Sequence, residues 1–338
     1  MAPFLDTVFT EWPADVCKFS KAFPEICIVG TYLLNEETRV RTGKLILYDT
    51  RNNKLNRIFE TECDAILDFK WSPIKPALLF VAHSTGKISV YEHHEESRLR
   101  PLRVDQLVDE TVLLLALDFS PEGDTLAVST SAGQVLLVDA ETGELCGEPW
   151  SEHGFEAWTV HWSRDVDKSP NVLYSGGDDA ALICYDRRMP GMSVWKNRRV
   201  HTTGVVSILS RQSFGPYMLT GEYGDIIHTL DVRSACLPLA DKNLGGGVWR
   251  LEHMYTDSVT RSHDILGILM HRGAQVLRVP AGFEDIELHS QVFDEHESMC
   301  YGGDWRSQDN TFATCSFYDK RVCLWKASPM NESSTAIE

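Results

Sequence analysis

Histidine, carboxylate and aromatic side chains gather in a few short stretches of this chain, and any chemistry it performs has to be sought there. The richest are His153-x-Phe155-Glu156-Ala157-Trp158, Ser175-Gly176-Gly177-Asp178-Asp179, His201-Thr202-x-Gly204-Val205, Gly221-Glu222-Tyr223, Gly246-Gly247-Val248-Trp249-Arg250, Met270-His271 and Cys315-Ser316-Phe317-Tyr318-Asp319. A histidine or carboxylate poised near neutral pH can serve as a general base, and nearby donors can hold developing negative charge. Covalent and metal chemistry have less support. The Gly-x-Ser-x-Gly elbow of acyl-enzyme hydrolases is absent. Ser72-Pro73-Ile74-Lys75 fits a Ser-x-x-Lys pattern but reads as a strand-ending turn. No Cys/His group has zinc spacing, so neither a metal nor another cofactor is expected.

Bulk properties narrow the setting. With 49 acidic against 32 basic residues the net charge is −17, the wrong sign for following a phosphate backbone, so no direct nucleic-acid partner is expected. Nine cysteines occur singly, without Cys-x-x-Cys pairs, as in proteins of a reducing compartment, and a cytoplasmic location is expected. The start lacks a basic region followed by an apolar one, and no apolar run approaches the ~20 residues of a membrane span. Neither export nor membrane insertion is expected.

The elements that must position these residues announce themselves by repetition. An alternating apolar strand ending in Asp or a substitute recurs as Leu45-Ile46-Leu47-Tyr48-Asp49, Ile88-Ser89-Val90-Tyr91-Glu92, Val135-Leu136-Leu137-Val138-Asp139, Leu182-Ile183-Cys184-Tyr185-Asp186, Ile227-His228-Thr229-Leu230-Asp231, Val276-Leu277-Arg278-Val279 and Val322-Cys323-Leu324-Trp325-Lys326. Their last residues, 49, 92, 139, 186, 231, 279 and 326, lie 43 to 48 residues apart. Upstream strands ending in turn residues, such as Asp118-Phe119-Ser120-Pro121-Glu122-Gly123, precede them. The units resemble WD repeats, whose period is ~40–45 residues with four strands each. The buried His, Ser/Thr, Asp and Trp set of that family finds its nearest matches in His153, Ser175, Asp179, Tyr185 and in His296, Cys315, Asp319, Trp325. The expected architecture is all-β: one domain over residues 1–338, a seven-bladed propeller. Residues 5–12 would supply the outer strand of the last blade and 327–338 would form a tail.

The segments of the first paragraph other than Gly221-Glu222-Tyr223, together with Pro238-Leu239-Ala240-Asp241, carry a more specific likeness. The chain resembles the diphthine methyl ester hydrolases of diphthamide biosynthesis, also named diphthine methyltransferases. That resemblance implies hydrolysis of the methyl ester of methylated diphthine on translation elongation factor two, giving a carboxylate that is later amidated. The implied partner is therefore a protein substrate, and a monomer is expected.

On that footing His271 is the first candidate for the base, with Glu222 and Asp178 as acids that orient it or meet the substrate's charge. Glu156, Trp249, Arg250, Tyr223, Tyr318 and His201 are candidate substrate-binding residues. The implied substrate bears a trimethylammonium group, which aromatic faces hold at ~0.5–2 kcal/mol per contact. His153 and His201 also stand where the propeller's structural histidines belong. The competing function is a non-catalytic adaptor that binds a peptide without changing it.

Overall fold

A computed structural model describes residues 4–95, 97–164, 170–234 and 237–327. Seven antiparallel sheets stand in a ring, each with its first strand innermost. The inner strands are Ala14–Phe19, Ile66–Trp71, Leu114–Phe119, Thr159–Trp162, Val205–Ser210, Val248–Thr256 and Cys300–Arg306. All seven repeated segments form the third strands of their blades, namely Arg41–Asp49, Lys87–His93, Gln134–Asp139, Leu182–Asp186, Ile226–Asp231, Gly273–Val279 and Arg321–Lys326. Among the described residues there is no α-helix, so no helix is long and apolar enough to cross a membrane.

The Asp that marks these strands ends them chemically. Asp49 accepts the Arg51 backbone N–H at 2.9 Å and grips its guanidinium, and Asp186 with Arg188 and Asp231 with Arg233 repeat the arrangement. An Asp two residues before an Arg thus turns the chain toward the outer strand and satisfies a backbone donor that the sheet leaves free.

Neighbouring blades are clipped together along the inner strands. Asp68 accepts Leu117 N–H at 3.2 Å, Asp118 accepts Trp162 N–H at 2.9 Å, and Asp304 accepts Phe19 N–H at 2.8 Å. The last of these joins the seventh blade to the first. The same seam is closed at the periphery by Phe4–Phe9, which pairs antiparallel with Arg321–Lys326 and removes an open sheet edge. Thr10 then ends the strand, its hydroxyl donating to Trp12 O at 2.6 Å.

Buried histidine–hydroxyl sets fix three blades. His153 joins Ser175 through Nε2 at 2.7 Å and Asp179 through Nδ1 at 2.8 Å, and Ser175 donates to the Tyr185 hydroxyl. In the last blade the hydroxyl is Thr314, not Cys315. Thr314 Oγ1 lies 2.6 Å from His296 Nε2 and accepts from Trp325 Nε1 at 2.9 Å. Side chains alternate faces along a strand, so one step moves Cys315 to the opposite side, into the core shared with the first blade. His201 pairs with Thr220 at 2.9 Å, and burial pushes its pKa down to about 3. Here Glu222 supplies the carboxylate. It is 0% exposed, accepting Thr202 N–H at 2.9 Å and the Thr202 hydroxyl at 3.1 Å.

Two outcomes follow from this construction. Removing residues 1–9 bares the Arg321–Lys326 edge, so the truncated protein is expected to melt more than about 5 °C lower and to associate in light scattering. Glu222→Ala removes a fully buried side chain and the acceptor of both Thr202 donors, and is expected to lower stability by about 1–3 kcal/mol, read from the urea midpoint.

Candidate active site in the central channel

At one end of the channel the inner strands and the loops above them enclose a cavity of about 560 Å³. Its mouth is aromatic. Trp158 and Trp249 lie 5.7 Å apart between ring centres, Trp249 and Tyr301 4.9 Å, Tyr301 and Phe317 5.7 Å, and Phe317 and Tyr32 6.0 Å. This unbroken arc draws on blades four, six, seven and one. Trp249 and Tyr301 are held by inner strands, and Trp158 is aimed by a hydrogen bond from its Nε1 to Asp178 at 3.0 Å. Glu156 and Tyr318 also line the cavity.

Below the arc the wall is charged. Arg250 spans the channel: its guanidinium donates to Tyr301 O at 2.9 Å, Asp68 Oδ1 at 3.0 Å and Leu67 O at 3.2 Å. Burial works against its charge, but Asp68, Asp15 and Glu252 outweigh it and raise its pKa. Deeper still, Lys18 and Glu252 pair at 2.8 Å. His161 accepts Ser210 N–H at Nε2 and lies 3.3 Å from Asp118 through Nδ1, which fixes its tautomer. Burial pushes its pKa down to about 3.

Asp15 differs from these paired groups. It lines the cavity from the first inner strand, and burial pushes its pKa up to about 7, with Asp68 adding to the rise and Arg250 opposing it. The three hydrogen bonds of the Arg250 guanidinium go to Tyr301 O, Asp68 and Leu67 O. A carboxylate that changes charge near neutral pH beside an aromatic mouth can accept a proton from a water molecule.

Of the residues singled out from sequence, Glu156, Trp249, Arg250 and Tyr318 line this cavity. Asp178 stands behind it, steering Trp158. Glu222 and His201 are held in the interior of the fifth blade by Thr202 and Thr220. His271 is exposed in an adjoining groove that shares Tyr318 with the cavity, and its ring meets the edge of Tyr223 at 6.4 Å. His271, Glu222 and Trp249 therefore do not share one hollow. Asp15, Tyr32, Arg41 and Tyr301 were not among the sequence candidates. The available signal for Asp15 was an acid inside the apolar strand Ala14-Asp15-Val16-Cys17. Among the described residues, no group of three or more His, Cys, Asp and Glu is arranged to hold a metal ion.

The chain matches no protein-family profile. It is 57% identical over 320 residues to a diphthine methyltransferase of Schizosaccharomyces pombe, covering 95% of this chain and 96% of that one. It is 34% identical over 348 residues to the Homo sapiens protein of the same name, with 89% and 74% covered. The Saccharomyces cerevisiae protein of that name is 29% identical over 364 residues, with 89% and 92% covered. A chain in the crystal structure of the mitotic checkpoint complex superposes with a TM-score of 0.72 at 13% identity, covering 95% of this chain and 90% of that one, a likeness of fold alone. By its likeness to the S. pombe and human proteins along most of its length, this propeller belongs to the diphthine methyltransferase family.

Proposed function

We propose that this protein is a carboxylic ester hydrolase that removes the methyl group from methylated diphthine on elongation factor two, in the cytoplasm. One observation carries this: an arc of aromatic rings and a carboxylate titrating near neutral pH line the same cavity. Trp158, Trp249, Tyr301 and Phe317 would face the trimethylammonium group, with Glu156 adding favourable charge. Asp178 acts through Trp158 as a positioning residue, and Arg250 holds the wall by tying Tyr301 to Leu67 and Asp68.

The reaction then needs only water. Asp15, ionised, takes a proton as the water oxygen bonds to the ester carbon, and the carbonyl electrons move onto oxygen. When the tetrahedral intermediate collapses, the bond to methoxide breaks and methoxide recovers the proton from Asp15. Methanol leaves, and the new acid ionises to diphthine. His271, with Tyr318, borders the flanking groove, where the polypeptide on either side of the modified residue would lie, and Tyr223 packs against the His271 ring. A non-catalytic adaptor has no use for a carboxylate kept half-protonated inside a cavity, so it is the weaker function.

Mass spectrometry of methyl-esterified elongation factor two incubated with the pure protein is expected to show loss of one methylene equivalent. Unchanged substrate mass sinks the hydrolase. Asp15→Asn is expected to lower kcat about 10²–10⁴-fold, whereas His271→Ala acts mainly on KM. For the wild type, log kcat/KM should climb with pH and level off above about 7.

The same group has a stability signature of known sign. Its folded pKa exceeds the ordinary aspartate value, so its contribution to stability is fully present below pH 3.8 and is lost as pH rises to about 7. Asp15→Asn is therefore expected to melt higher than wild type at pH 8 and to lose that advantage at pH 4. Trp249→Ala should leave kcat/KM for a substrate analogue lacking the methyl groups on nitrogen nearly unchanged while weakening the trimethylated one about tenfold or more.

A further inference from the structure

Among the described residues, the first blade carries an addition the others lack. Between its second and third strands the hairpin is prolonged above the ring: Leu33–Leu34 pairs with Arg41 and Thr42, and a turn from Asn35 to Val40 closes it. This extension brings Arg41 to the wall of the channel cavity, next to Tyr32 at the end of the aromatic arc.

Arg41 is set apart by what it does not bind. Many guanidinium groups elsewhere meet carboxylates, as in Arg51 with Asp49, Arg164 with Asp118, Arg188 with Asp186, Arg250 with Asp68 and Arg278 with Asp264. Among the described residues Arg41 makes no ion pair, and its Nε is buried without a hydrogen-bond partner. A buried, unsatisfied guanidinium nitrogen is costly and calls for a missing acceptor. Lys70, the other cation on the wall without an ion pair among the described residues, is less able to hold its charge, since burial and the neighbouring Lys18 lower its pKa in spite of Asp118, Asp68 and Glu252.

We propose that Arg41 is the anion-binding residue of this site, donating to the ester carbonyl oxygen as it becomes an oxyanion and then to the product carboxylate. This deepens the ester-hydrolysis function proposed above and rests on it. In the proposed substrate the ester lies beside the trimethylammonium group, so the groups that recognise the two must be neighbours. Tyr32 joins Arg41 to the rings that would hold the cation. No bond to Arg41 forms or breaks. Its fixed charge stabilises the negative oxygen that appears on water attack and disappears on loss of methoxide.

The test uses the full-length protein at pH 6, where Asp15 is mostly protonated, and two small probes. Glycine betaine carries a carboxylate close to its trimethylammonium group, and tetramethylammonium carries none. Titration calorimetry is expected to show betaine binding about tenfold tighter. Arg41→Ala should erase that preference, leaving tetramethylammonium affinity within about twofold and the melting temperature no lower than that of the wild type. In turnover, Arg41→Ala should lower kcat about 10²–10³-fold with KM little altered, and added guanidinium ion should restore part of the rate.

An undiminished betaine preference in Arg41→Ala, or an equal loss of both probes, overturns the role of Arg41. A wild type that prefers betaine through Arg41 but releases no methanol overturns ester hydrolysis and upholds Arg41 as the anion-binding group.

Discussion

Seven strands sharing one narrow axis must place their polar side chains in one another's fields, and the structure is governed by how those charges are matched. Burial there works against charge, so a partner from another blade steadies an ionised group, and an acid without one gives up its charge more readily. Asp68, Asp118 and Asp304 meet this demand by clipping backbone amides of the next inner strand. What holds the ring together is thus the material from which the site is made. Arg250 illustrates the double duty, since its bonds to Leu67, Asp68 and Tyr301 brace three blades and the cavity wall together.

The aromatic mouth gains from that bracing. Trp249 and Tyr301 stand on inner strands, Phe317 follows the second strand of the last blade, and Trp158 is secured by Asp178. Rings fixed before a ligand arrives lose little freedom on binding, so contacts of ~0.5–2 kcal/mol each can add up to useful affinity for a quaternary ammonium ion. A net charge of −17 favours the approach of such a cation, but selectivity has to come from the rings.

The ring itself was legible because its signals are local. Apolar alternation ending in Asp or a substitute is contained in a few residues, and every third strand could be found from it. The hydroxyl of the last blade was misplaced by one residue because Thr314 and Cys315 are adjacent, and only the pairing register tells which faces His296. Within the site, Trp249, Arg250, Glu156 and Tyr318 were legible from short segments, at strand starts and in loops, that the propeller gathers at one face. Glu222 and His201 drew attention through their residue types, while their partners Thr202 and Thr220 assign them to the interior. Asp15 and Arg41 were not legible, since their character comes from distant groups. The pKa of Asp15 depends on a cation more than two hundred residues away in sequence, and the exposure of Arg41 to the cavity depends on a hairpin extension.

Two acids of one channel show how matching of charge separates chemistry from structure. Burial opposes ionisation of Glu252, but Lys18 at 2.8 Å, with help from Lys70, brings its pKa down to about 2. Its contribution to stability is present above the ordinary glutamate pKa and vanishes only as pH falls through about 2. Asp15 experiences comparable desolvation, yet the hydrogen bonds of its nearest cation go to Asp68 and to two carbonyls, so burial prevails. The first carboxylate is a permanent anion that strengthens the fold, and the second is an exchangeable proton site that weakens it at neutral pH. A carboxylate with a cation of its own would be too weak a base to activate water, so the imbalance around Asp15 is the condition under which this channel can do more than hold seven sheets together.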